Sequence, residues 1–289
     1  MAREFARKEW RILGVDVVPP ENAPQGAGYV RLALPSSGFN ELLRSQQPDV
    51  CIHCAGRASV PLSMNDPASD FRDNTVLTFE ILEALRREAL ACRFLFLSSA
   101  AVYGNPESLP VAETHRVAPL SPYGYHKRQC ELLCEEFSTI FGLPTAALRI
   151  FSAYGPGLRR QVIWDICERV LTTGELRLRG TGRESRDFIH ATDIGRALLC
   201  IASEAPCRGE IYNVASGREA TIQELSSLLL DALGSSTRPR FDGAATPGNP
   251  LYWRADIGRI AALGFAPSIS LEKGVRSVAT WSSAELASV

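Results

Sequence analysis

The 289-residue chain has no apolar run approaching the roughly 18 residues that a membrane-crossing helix needs. Nor has it an excess of either charge. Its 31 Lys and Arg face 32 Asp and Glu, a formal net charge of -1. That balance gives no reason to expect nucleic acid or an anionic membrane as a partner. The opening residues, MAREFARKEWRIL, carry charges throughout and hold no apolar signal core. The expected compartment is the cytoplasm. Metal-ligand spacing is also scarce. Cys51 and Cys54 have CxxC spacing around His53, but they lie in DVCIHCAG, a strand entering a loop, where alternate side chains point to opposite faces. Cys130 and Cys134 share a helix with no second ligand pair nearby. The eight cysteines read as reduced thiols used as small apolar groups, with no metal site. Internal repeats and low-complexity linkers are absent.

What is present is the composition of a globular protein, 45% hydrophobic and 22% charged. The length suffices for one large or two modest domains. The stretch from Arg93 to Lys127 organises the rest. Phe94 to Leu97 is a short apolar run typical of a buried parallel strand, with Ser98-Ser99 at its carboxyl end. In open α/β sheets ligands bind at that end. After a polar loop, Ser121 and Pro122 mark a helix start as N-cap and first helical residue. Tyr123 and Lys127 then fall four residues apart on one helix face. A hydroxyl, a phenol and an ammonium are thereby brought toward one point above the sheet. A phenol titrates near ~10, and an ammonium beside it in a desolvated cleft is expected to lower that value. Such a triad suits hydride transfer at an alcohol or ketone. The competing reading is a buried Tyr, a surface Lys and a serine-rich strand end. Elsewhere, SVPLSMNDP reads as a loop, and the helix after Ser121 runs to about Phe141 and is expected to bury Leu132, Leu133, Phe137 and Phe141 on one side. Arg208 and Gly209 read as loop residues, and Thr221 caps a helix with Glu224 at its third position.

SSAAVYG, SPYGYHK, RIFSAYGPG and GTGRESRDFIHATDIGRAL together resemble the extended short-chain dehydrogenase/reductases, in particular the NAD-dependent sugar-nucleotide epimerases and dehydratases. The likeness runs from about Arg3 to Trp281. It implies an α/β fold, a Rossmann-type doubly wound parallel sheet with a smaller C-terminal α/β substrate lobe. Residues 1–153 would form the NAD-binding domain with 187–217 partly returning to it, and 154–186 and 218–289 the lobe. It further implies NAD as cofactor, a nucleotide-sugar substrate and a homodimer built from the helices around Asn74 to Glu88 and Tyr123 to Phe141.

Carried over residue by residue, the resemblance makes Ser99, Tyr123 and Lys127 catalytic. Asp16, with Val17, ends the strand that holds the adenosine ribose, and an acid there favours NAD over NADP. Cys54, Ala55 and Gly56 form a small-residue turn under the cofactor. Asn74 supports the strand carrying Ser99. Ser98, Ile150 and Phe151 complete the cofactor contacts. Ser99, Ser152, Arg186 and Asn249 contact substrate, Arg186 through a guanidinium fork suited to a diphosphate. Arg159 and Arg160 read as a solvated pair or as diphosphate contacts.

Several positions depart from the family's pattern. The family opens with a strand and a GxxGxxG turn whose backbone cradles the pyrophosphate; this sequence has neither, and roughly twenty residues are expected to be absent. A start placed too far downstream, a truncation and a loss of ordinary dinucleotide binding are all open. RLALPSS lacks the acid that reads adenine. Ser152 stands for an Asn, Thr246 for an Arg and Asn249 for an Asp. Ala100 and Ala101 occupy the places of the Asp-Glu pair of the dehydratases. Dehydration is therefore disfavoured, leaving a C4 epimerase, a 4-keto reductase, or an inactive relative that keeps the sugar-nucleotide lobe.

Overall fold

The computed structural model describes residues 1–20, 27–244 and 251–287. Thr246 and Asn249 lie outside the described residues. Two short strands come first, β1 (Leu13–Asp16) and β2 (Gly28–Arg31), paired in parallel. Then follow β3 (Val50–His53), β4 (Arg93–Ser99) and β5 (Thr145–Ile150). The chain leaves this sheet through β6 (Ser152–Tyr154), β7 (Arg177–Leu178) and β8 (Ser185–His190) and returns as β9 (Arg208–Val214). Strands β3, β4, β5 and β9 pair side by side in that order, all parallel. Among the described residues, no strand joins β1 to β3. In the doubly wound order a first strand would run there.

Alternation along β4 builds the layers. Phe94 and Phe96 point to one face and Leu95 to the other, as a two-residue period requires. Phe94 and Phe96 pack with Phe39 and Leu43 of α2 (Ser37–Gln46), Leu82 and Leu85 of α5 (Leu77–Glu88) and Phe137 of α6 (Pro122–Phe141). Leu95 packs with Phe5 of α1 (Ala2–Ala6) and with Leu198 and Ile201 of α8 (Ala191–Glu204). Each such side chain contributes about 1.5–3 kcal/mol on burial. The Rossmann-type sheet expected from the sequence is thus covered by helices on both faces.

A second core lies beyond β5. Tyr154, Phe188, Leu225, Leu229 and Val278 gather on α7 (Gln161–Thr173), α9 (Ile222–Leu233) and α11 (Leu271–Ala287). Strand β8 is flanked there by β6 and by antiparallel β10 (Glu219–Thr221), while β11 (Arg240–Phe241) pairs with β7. Thr221 and Glu224 close a reciprocal capping box at the start of α9. A short α10 (Gly258–Ala261) precedes α11.

Local details differ from the sequence reading. SVPLSMNDP is not a bare loop: it carries α3 (Val60–Asn65) and leads into α4 (Pro67–Phe71), each capped by the side chain before it, Ser59 and Asp66. Leu132 and Phe141 were expected inside; they are 47% and 41% exposed, because the 20-residue α6 turns only one stripe to the sheet. Arg208 and Gly209 belong to β9 rather than to a preceding loop.

Candidate active site

The tip of β4 and the first turns of α6 build the site. Ser121 caps the helix by accepting from Gly124 N at 3.3 Å, and Pro122 takes the first position. Buried Ser63 of α3 adds a second tie, accepting from Tyr123 N at 3.1 Å. Tyr123 is thus fixed at the start of the helix, and its phenol comes under the influence of the Ser99 hydroxyl. Ser99 Oγ also accepts from Ala101 N at 3.2 Å, which fixes its rotamer. Lys127, 6% exposed, donates to the Leu97 carbonyl at 3.0 Å. Its ammonium lies 4.7 Å from the Phe96 ring centre and 5.8 Å from that of Tyr123.

The electrostatics differ from expectation. Burial pushes the Tyr123 phenol above its ordinary range; the Ser99 hydrogen bond and the Arg160 guanidinium oppose this. The lowering of the phenol below its ordinary range that the sequence led us to expect is not found. Lys127 is itself pushed down by burial. Arg160 is therefore no merely solvated group: its Nη1 donates to the Ala58 carbonyl at 2.9 Å, across from α7 to the turn after β3. Arg159 instead pairs with Glu285.

Other predicted residues divide. Asp16 ends β1, and its Oδ1 accepts from Val17 N at 2.6 Å and Val18 N at 3.3 Å, a turn at the place expected for the ribose. Val17 is exposed. Cys54, Ala55 and Gly56 follow β3. Gly56 has φ +110°, and a β-carbon there would come within 2.7 Å of Asn74 Oδ1. Asn74 is buried with that oxygen unpartnered. It underlies the Gly56 turn and donates to the Asp70 carbonyl at 3.1 Å, so it does not support β4 as expected. Ser98 is turned away: its hydroxyl donates to Glu131 Oε1 at 2.7 Å inside the sheet–helix layer. Ile150 ends β5, and Phe151 is buried against Trp253. Ser152, half-buried, begins β6. Arg186 stands over the Trp253 ring at 5.5 Å and, among the described residues, donates to the carbonyls of Ser185 and Leu251, at 2.7 and 3.4 Å. A structural pairing with Asp187 or Asp193 is the reading that competes with a diphosphate contact, but Asp193 is committed to Arg196 and Asp187 to the backbone of Ser216, Gly217 and Ala255.

The profile of the NAD dependent epimerase/dehydratase family matches residues 1–215. The chain belongs to that family. It is 29% identical to a putative UDP-glucose 4-epimerase of Methanocaldococcus jannaschii, over 88% of this chain and 84% of that one. It is 33% identical to a GDP-6-deoxy-D-mannose reductase of Pseudomonas aeruginosa, over 64% and 63%. The fold superimposes on the UDP-glucuronic acid 4-epimerase of Bacillus cereus, in complex with UDP-glucuronic acid and NAD, with TM-score 0.89 at 25% identity, covering 98% of this chain and 94% of the other. The family is one of NAD-dependent enzymes, and the chain is an enzyme of the short-chain dehydrogenase/reductase type.

This family member's residues suit NAD at one end. The small-residue turn at Gly56 with the unpartnered Asn74 oxygen beneath it, the Lys127 ammonium, which bonds no carboxylate among the described residues, and the Asp16 carboxylate are the groups that would hold it. For the pyrophosphate, the described residues present no glycine turn between β1 and β3. Sequence reasoning passed over Ser63, because its segment reads as loop, and Glu131, although it follows Lys127 by one helical turn.

Proposed function

We propose that this enzyme is a sugar-nucleotide epimerase that works at the sugar C4 position through a 4-keto intermediate. The observation carrying the reading is the placement of Tyr123, in the first turn of α6, beside Ser99 at the carboxyl end of β4. Ser99 holds the reacting sugar oxygen, and the Tyr123 oxygen takes its proton. When the sugar is reduced again from its other face, Tyr123 returns that proton. Bound NAD would accept and give back the hydride. Lys127 and Asp16 would hold its two riboses, with Gly56 allowing close backbone approach. Arg186, without an anionic partner among the described residues, would bind the diphosphate. Residues 154–186 and 218–289 form the lobe that carries this contact. Ala100 and Ala101 present only methyl groups beside Ser99, so no group is placed to protonate a departing hydroxyl, which argues against dehydration.

A reductase reading rests on Arg31. It stands opposite Asp16 in the β1–β2 pair and donates to Val17 O at 3.0 Å. A guanidinium at that strand end suits the 2′-phosphate of NADP.

The test is turnover of a panel of nucleotide sugars by wild-type protein and by Tyr123→Phe. A loss of about 10²–10⁴-fold in kcat supports the mechanism; undiminished turnover by the variant would sink it. Tightly held NAD in the purified protein favours the epimerase, and consumption of added NADPH by a 4-keto sugar the reductase.

A further inference from the structure

Tyr123, Lys127 and Glu131 follow one another at four-residue steps along α6 and form a single stripe facing the sheet. That stripe meets three consecutive residues of β4. The Lys127 ammonium donates to the Leu97 carbonyl at 3.0 Å, the Ser98 hydroxyl donates to Glu131 at 2.7 Å, and the Tyr123 phenol comes beside Ser99. Glu131 and Arg149 of β5 are 2% and 1% exposed. Arg149 grips the carboxylate with both prongs of its fork, Nε on Oε1 and Nη2 on Oε2, each at 2.8 Å. Arg128 adds a bond to Oε2 at 3.1 Å. The remaining Arg149 Nη1 reaches the Glu113 carbonyl at 3.2 Å, and the guanidinium lies 4.6 Å from the Tyr103 ring centre.

Burying an ion pair this deeply is a poor way to gain stability, since well-packed apolar side chains of the same volume often serve as well or better. What the fork adds is direction. Apolar packing tolerates a small slide of a helix along a sheet, whereas a bidentate pair anchored on both elements does not. We propose that the Glu131–Arg149 pair sets the axial register of α6 against β4, making both positioning residues for Tyr123 and Lys127. The inference rests on the reading of Tyr123 as the proton-transfer group.

The double variant Glu131→Leu/Arg149→Met removes both charges and keeps the volume. Two quantities are read in it: the melting temperature, and the titration of the Tyr123 phenol, taken as the ultraviolet difference between each protein and its Tyr123→Phe counterpart. The melting temperature should stay within about 3 °C of wild type. The phenol midpoint should rise by about one unit as the phenol moves away from Ser99, and kcat should fall about 10-fold or more at unchanged KM. Wild-type phenol midpoint and kcat in a folded double variant overturn the proposal. Should that variant not fold, Arg149→Lys decides, because it keeps the positive charge and removes the two-pronged fork. A raised phenol midpoint supports the register role and an unmoved one overturns it. If wild-type protein turns over no nucleotide sugar, the proposed function fails, and the phenol titration still decides the register.

Discussion

Gly124 approaches Ala101 so closely that a β-carbon on it would lie 2.7 Å from the Ala101 carbonyl oxygen and 2.9 Å from the Pro119 side chain. This contact seats the first turn of α6 on the short helical turn that follows β4, one residue after Tyr123. Neither neighbour is a flexible side-chain end, so the helix itself must move to admit a methyl. Gly124→Ala should cost about 1–3 kcal/mol of stability from overpacking. It should also reduce kcat by more than the small loss of folded protein explains. Parallel thermal melts and kinetics check this; normal kcat with a lowered melting point would mean that α6 can shift without disturbing Tyr123.

Arg186 is a guanidinium pulled down to about 10 by burial, with Glu184 only partly opposing. A half-buried cation with no carboxylate partner among the described residues gains most from an anionic ligand. Arg186→Leu should weaken binding of a nucleoside diphosphate by about 10–100-fold, the worth of a charge-assisted hydrogen bond, with Arg186→Lys between. Calorimetric titration with UDP and other nucleoside diphosphates measures it. Equal affinities in all three proteins would remove Arg186 from the diphosphate site.

His53 should make the protein acid-sensitive. Its Nε2 lies 3.1 Å from Thr78 Oγ1, whose own proton goes to the Asn74 carbonyl, so the neutral ring donates from Nε2. Burial, with Lys127 nearby, depresses the ring to about 3. Above the unfolded value near ~6.5 neither state binds the proton, and the contribution to stability is complete. As pH falls from there toward 3, the unfolded chain is protonated while the native one is not. Stability is then lost at about 1.4 kcal/mol per unit, some ~2 kcal/mol by pH 5. His53→Phe, placed beside Phe94 and Phe96, should flatten the dependence of melting temperature on pH between 7 and 5. Parallel curves for the two proteins would contradict this.

The outer faces of α5 and α6 leave Phe79, Leu132, Ile140 and Phe141 exposed at 41–68%. A homodimer that packs these two helices against their copies would cover them, as the family resemblance implies. Light scattering should give twice the mass of the 31.5 kDa chain, and Leu132→Glu should halve it. A monomeric wild type at micromolar concentration would refute the dimer.

Short-range signals were legible from the residues. The apolar run of β4, the Ser-Pro start of α6, the four-residue step from Tyr123 to Lys127 and the Thr221–Glu224 box each depend on neighbours a few positions away. Pattern and spacing settle such features before the chain folds, and they sufficed for the triad's location, while the α/β class came from the resemblance to a known family. The inward placement of Leu132 and Phe141 was misread, because an apolar residue on a long helix does not declare which stripe meets the sheet.

Left to itself, the sequence determined which strand ends in serines, which helix follows, and that a phenol and an ammonium share a helix face. Only the tertiary structure decided that Ser98 serves Glu131, that Ser99 comes beside Tyr123, and that burial outweighs the charges around the phenol. The physical reason is range. Helix and strand periods act along the backbone, but desolvation and charge act through space, between residues that only packing makes neighbours.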